Sequence, residues 1–189
     1  MHFRFHWTCN CRTPSRYSVM AATTLVTRTY LRMSASGALR PARPAPNAIA
    51  RRVVSCSAVR YRELYRAVGD RWHWHDRDAW PDDRLAEHLA NSAVSIHVFE
   101  VDGLTAGYFE LQRHQNDEME LVYFGLVPEW IGKGLGGAML TAATEEAWSS
   151  GASSVWLHTC TLDHPAAIAN YRARGFEPYR TETYEAALG

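Results

Sequence analysis

Lysine is all but missing from this 189-residue chain: nineteen of its twenty basic side chains are arginine, and the one lysine is Lys133. Acidic residues are missing from the first 62 positions, which hold eleven Arg and no Asp or Glu. All twenty acids fall in residues 63–189 beside nine basic residues, so a net charge of zero hides a basic start and an acidic remainder. No apolar run approaches the roughly 18 residues of a membrane-spanning helix, which excludes an integral membrane protein of that kind. Cysteine is scarce. Four of them, at 9, 11, 56 and 160, do not make the disulfide framework of a small secreted domain. Cys9-Asn10-Cys11 lacks both the spacing and the second pair of a zinc knuckle. What is present, 47% hydrophobic and 12% aromatic residues, excludes collagen-like, low-complexity and fully disordered chains. Free thiols point to a reducing compartment and a cytoplasmic protein.

Residues 1–19 have no apolar stretch and no small-residue cleavage site, so a secretory signal is not expected. They read as an upstream-start extension ahead of a domain over residues 20–189. An Arg-rich, acid-free organellar transit peptide is the alternative, and would change the location. The first reading is favoured because a strand follows Met20: Leu25, Thr27, Thr29, Leu31 and Met33 alternate with Val26, Arg28, Tyr30 and Arg32. Residues 34–50, rich in Ser, Pro and Ala, read as a loop or linker. The basic segment has Pro breaks and no interleaved stacking aromatics, so neither a nucleic-acid partner nor a membrane is expected.

From Ser57 the signals follow in order. Tyr61, Leu64, Tyr65 and Val68 sit at helical spacing, and Asp82 or Asp83 caps a second helix. Ser95–Val101, the Asp102-Gly103 turn and Thr105–Arg113 make a hairpin, and a long strand, Glu118–Val127, ends at Pro128. A Gly-rich loop opens a third helix, Ser153–Cys160 is a strand, Pro165 starts a last helix closed by Gly175, and Phe176–Tyr184 forms a final strand. The order β-α-α-β-β-β-α-β-α-β predicts an α+β domain with a mixed, mostly antiparallel sheet flanked by helices.

Gly132-Lys-Gly-Leu-Gly-Gly137 lies between strand and helix, where glycines let backbone N–H groups approach a phosphate. It is not a Walker A loop, because Lys133 is followed by Gly134 instead of Ser or Thr. The dinucleotide fingerprint fits at Gly132, Gly134 and Gly137, but the repeated βαβ units and the acid about 20 residues on are missing.

A third reading covers more residues. Val127-Pro-Glu-Trp-Ile-Gly-Lys-Gly-Leu-Gly-Gly-Ala-Met-Leu140 resembles the coenzyme-A pyrophosphate loop of the GNAT acyltransferase superfamily. His164-Pro-Ala-Ala-Ile-Ala-Asn-Tyr-Arg-Ala-Arg-Gly-Phe176 resembles that family's second motif, and Asp102–Leu111 resembles its central hairpin. The resemblance is good over about residues 95–180, with two departures. Ile131 stands where the family loop begins with Arg or Gln, and His164 where it carries Asn.

The resemblance implies an N-acetyltransferase that uses acetyl-CoA as co-substrate and no metal. It implies direct attack by a small-molecule or peptide amine acceptor in a ternary complex; a homodimer is compatible with it. It assigns the coenzyme to Leu126, Val127, Ile131, Gly132, Lys133, Gly134, Leu135, Gly136, Gly137 and His164. Tyr171 matches the tyrosine that protonates the leaving thiolate. Glu120 matches the position of a general base, with Glu118 as the lesser candidate. Strand alternation puts Glu118, Glu120, Val122, Phe124 and Leu126 on one face. Trp72 and Trp74 are expected to wall the acceptor pocket. His158 and Cys160 read as strand residues beside the coenzyme cleft. The competing reading is a non-catalytic acyl-CoA-binding or regulatory module on the same fold.

Overall fold

A computed structural model describes residues 23–187. The proposed extension 1–19, with Cys9 and Cys11, lies outside them. Seven strands form one sheet: β1 Thr23–Met33, β2 Ala48–Arg52, β3 Val94–Val101, β4 Leu104–Arg113, β5 Glu118–Leu126, β6 Ser154–Cys160 and β7 Glu177–Ala187. Four helices flank it: α1 Ala58–Gly69, α2 Asp82–Ala90, α3 Leu135–Ser149 and α4 Ala167–Ala173. The spatial order is β2-β3-β4-β5-β6-β1-β7, antiparallel throughout except between β5 and β6. The expected α+β class, the mixed sheet and the sequence of helices and strands from Ser57 onward are all observed.

Two sequence expectations need correction. The linker assigned to 34–50 ends in a strand, β2, which pairs with β3 from Ala48↔Val101 to Arg52↔His97. Ala-Ile-Ala-Arg-Arg has little strand preference of its own; the partner strand supplies its hydrogen bonds, and Arg51 adds a 3.0 Å ion pair to Glu100. Nor is the rest of the segment a free tether. The Arg40 N–H donates to the Arg174 carbonyl at 3.0 Å, and the Ala42 N–H to Thr141 Oγ1 at 2.9 Å, so it straps across α3 and α4.

The second correction concerns β5. Glu110 pairs with Tyr123 but Leu111 pairs with Leu121, which leaves Val122 as an extra, bulged residue. The bulge reverses the alternation, so Glu120 shares its face with Tyr123 and Gly125, not with Phe124 and Leu126.

The two faces of the sheet bury different things. One carries Leu31, Phe109, Leu121 and Leu157, packed under Met139 and Leu140 of α3 and Phe176. The other carries Val98, Ile96 and Tyr108, packed under Tyr61, Tyr65 and Leu85 of α1 and α2. Contacts of α1 and α2 reach β3, β4 and β5. Beyond β5, the same face of β6, β1 and β7 is polar and aromatic. Directly opposed pairs Trp156↔Arg32, His158↔Tyr30 and Cys160↔Arg28 put six of its side chains on that uncovered floor.

Candidate active site

β5 and β6 pair at only three positions, Glu118↔Ser154, Met119↔Val155 and Glu120↔Trp156. Beyond these the two strands part, and a cleft of about 1240 Å³ opens through the gap. It connects the uncovered polar floor on one face of the sheet with the start of α3 and with α4 on the other.

The loop after β5 forms one wall of the cleft. Gly132 and Gly134 have φ of 82° and 75°, in the left-handed region that a Cβ disfavours. Gly134 is the N-cap of α3 and offers no side-chain cap, which leaves the first N–H groups of that helix unsatisfied for an anion. At Gly137 a Cβ would lie 2.4 Å from Arg174 Nη1 and 3.0 Å from Ala42, so α4 and the strap close on the loop from behind. Asn170 Nδ2 donates to the Gly136 carbonyl at 3.1 Å and fixes the loop to α4. The loop therefore fits a diphosphate on the residues present. Ile131, Gly132, Gly134, Leu135, Gly136 and Gly137 all line the cleft, as does Leu126.

Lys133 does not line it: its ammonium sits 4.5 Å over the Trp130 ring. Val127 also lies outside the cleft wall, and its N–H is taken by the Ala106 carbonyl at 2.9 Å. His164 lines the cleft, but its Nδ1 accepts the Ala166 N–H at 3.1 Å at the start of α4, and its ring meets Trp72 edge-on at 5.3 Å.

Tyr171 projects from α4 into the cleft with 7% of its surface exposed, its ring 6.1 Å from Phe124. Burial pushes its hydroxyl well above the ordinary tyrosine range, with the Asp163 charge adding to the effect. Glu120 enters from the opposite face of the sheet, 9% exposed. Its Oε2 lies 2.7 Å from His114 Nε2, and the His114 ring packs against Trp156 at 5.5 Å. Glu118, the lesser candidate, is instead ion-paired to Arg32 at 3.1 Å and does not line the cleft.

On the floor, Glu182 accepts hydrogen bonds from Tyr30 at 2.6 Å, Arg28 at 3.3 Å and Arg180. These donors hold its carboxyl below the usual range. His158 is open to the cleft but ringed by protein, and that desolvation lowers its pKa. Trp72 and Trp74 line the cleft on the segment between α1 and α2. The same segment carries Asp76, which accepts from Tyr65 Oη at 2.6 Å and from the Tyr123 hydroxyl.

Sequence reasoning thus placed Glu120, Tyr171, both tryptophans and most of the loop in one cleft. It missed His114, Asp76, Tyr123 and Asn170. For His114 a signal existed, since it and Glu120 flank the same tight turn; Asp76 and Tyr123 meet only through the tertiary fold.

Residues 61–176 match the Acetyltransferase (GNAT) family, well over half of the chain. The chain belongs to the GNAT acetyltransferase family. GNAT enzymes in general take acetyl-CoA as co-substrate. A mycothiol acetyltransferase from Corynebacterium efficiens is 28% identical over 117 residues, 59% of this chain and 38% of the relative. A GCN5-related N-acetyltransferase from Kribbella flavida superposes with a TM-score of 0.61 at 21% identity, covering 88% of this chain and 60% of that one. A second, from Sphaerobacter thermophilus, gives 0.62 at 18% identity, covering 87% and 53%. At these identities the structural neighbours establish the GNAT fold alone. The chain spans less than two thirds of each of these relatives.

Proposed function

We propose that this chain transfers the acetyl group of acetyl-CoA to a primary amine by direct attack in a ternary complex. The observation that carries the reading is the placement of a carboxylate–imidazole pair and a buried phenol on opposite sides of one strand gap. The N–H groups at the start of α3 bind the diphosphate. The Val127 N–H points to β4, so strand alternation turns the Leu126 N–H toward the gap, where it polarises the thioester carbonyl.

Glu120 takes a proton from the acceptor ammonium and passes it to His114, 2.7 Å away and partly open to solvent. The neutral nitrogen attacks the carbonyl carbon, and the C–S bond breaks as the tetrahedral intermediate collapses. Tyr171 stays protonated through the neutral range and gives its proton to the departing sulfur. The second proton shed by nitrogen restores the phenol through solvent in the cleft.

The test is acetyl-CoA turnover, followed as released thiol, over a panel of amines and peptides with the wild type, Glu120→Gln and Tyr171→Phe. Transfer that both substitutions leave intact would sink the mechanism. Acetyl-CoA binding with no transfer to any amine would favour a binding module.

A further inference from the structure

We propose that the acceptor is a primary amine carrying a second cationic group, and that Asp76 holds that second charge. The inference rests on the amine transfer argued above and names its substrate class.

Asp76 is fixed before any ligand arrives. Tyr65 Oη donates to its Oδ1 at 2.6 Å, and the Tyr123 hydroxyl donates to its Oδ2. Tyr65 is fully buried, and Asp76 adds to the desolvation that raises the pKa of both phenols, so both remain donors. A carboxylate accepts about four hydrogen bonds, and two are filled here. Asp76 itself is solvent-exposed at the cleft wall.

The cationic side chains on the cleft floor already have partners, and Asp163, the other cleft carboxylate without an ion pair among the described residues, is closed by Thr159 Oγ1 at 2.6 Å and the Cys160 N–H at 2.8 Å. Arg28 and Arg180 are on Glu182, and Arg77 is on Glu110 at 3.5 Å. Among the described residues no Arg or Lys makes an ion pair with Asp76. Beside it stand the Trp74 and Tyr123 rings, 5.0 Å apart, with Trp72 on the same segment. The Tyr123 ring already lies 5.2 Å from the Arg77 guanidinium, so what Asp76 offers an ammonium or guanidinium is a charge-assisted hydrogen bond to a carboxylate held in place by two phenols.

The spacing follows from the bulge at Val122. Because Tyr123 shares the face of Glu120, three positions on across the bulge, the residue that anchors Asp76 stands about 7–10 Å along β5 from the base. Asp76, Tyr123, His158 and Glu120 all line the one cleft. A chain of roughly four to seven bonds between the two nitrogens spans that distance.

The experiment compares 1,4-diaminobutane and 1,5-diaminopentane with butylamine and pentylamine as acceptors. We expect kcat/KM at least tenfold higher for the diamines in the wild type, mainly through KM. Asp76→Asn, which keeps the size and one acceptor oxygen, should cut that ratio about tenfold, and added KCl should erode it in the wild type without any substitution. A ratio near one, or one that neither Asp76→Asn nor salt alters, overturns the proposal. Thermal unfolding with acetyl-CoA present separates this from failure of the transfer reading. If no amine turns over, that reading falls, and the Asp76 site then stands only if diamines raise the Tm more than monoamines in the wild type and not in Asp76→Asn.

Discussion

His114 and Glu120 face each other across the β4–β5 turn, Nε2 to Oε2, at 2.7 Å. The hairpin sets this distance: the His114 N–H donates to the Glu118 carbonyl at 2.7 Å, closing the turn, and the Gln112↔Glu120 pair fixes the register beneath it. A general base that also hands on its proton contributes about 10²- to 10⁴-fold to the rate. Glu120→Gln is expected to lower kcat within that range while calorimetry shows acetyl-CoA still bound. His114→Phe keeps a ring against Trp156 and should cost less, about tenfold in kcat, with acetyl-CoA binding unchanged. An unchanged kcat would mean that His114 only packs.

Tyr171 makes a separable prediction. Its hydroxyl pKa is raised, so it is protonated at every pH at which the domain is assayed and gives no alkaline limb of its own. Tyr171→Phe should lower kcat about 10- to 100-fold with little change in KM for acetyl-CoA. Acceptors are not expected to compensate, because the loss is at the leaving sulfur; a loss that vanished with a better nucleophile would place the phenol elsewhere in the reaction.

The loop offers a contrast between neighbours. Gly134 needs φ of 75°, so Gly134→Ala strains the start of α3 by about 1 kcal/mol, and the coenzyme Kd should rise roughly fivefold. Lys133→Ala should change the Kd far less, since its ammonium stacks on Trp130 away from the cleft. Isothermal titration with coenzyme A reads both. The reverse ranking would mean that Lys133 leaves Trp130 for the phosphates.

That contrast marks where the sequence was legible. Four glycines in six residues announce a phosphate loop, because local backbone geometry is a local property. Lys133 looked like part of it only because it lies inside the motif; the direction of its side chain is decided by Trp130, three residues earlier. The same division runs through the fold. Helices α1 to α4 and the β3–β4–β5 meander follow from spacing and turn residues. β2 does not, since its hydrogen bonds come from β3 and not from Ala-Ile-Ala-Arg-Arg. The position of β1 between β6 and β7 is invisible too, although it brings Arg28 and Tyr30 to the cleft. Most costly was the bulge at Val122. Strict alternation put Glu120 on the face of Leu126, and a single extra residue moved it to the face of Tyr123.

The last prediction concerns stability and lies away from the cleft. His97 on β3 is 2% exposed, stacked on Phe109 with centroids 4.7 Å apart and planes 4° from parallel. Its Nε2 lies 3.0 Å from Ser95 Oγ, and Arg52 is its cross-strand partner. Burial, and then the Arg52 charge, push its pKa down from 6.5 to about 4. The folded form therefore holds a neutral ring, while the unfolded chain takes up a proton near pH 6.5. Between about pH 6.5 and 4 the unfolded state binds more protons, so stability falls as the pH drops through that window, by roughly 3 kcal/mol at most. Above pH 6.5 both states are neutral and the contribution is flat. His97→Phe removes the titrating group and keeps the stacked plane. Denaturant unfolding at pH 7.5 and pH 4.5 should show a smaller loss of stability in His97→Phe than in the wild type. Equal losses would assign the acid sensitivity to the carboxylates instead.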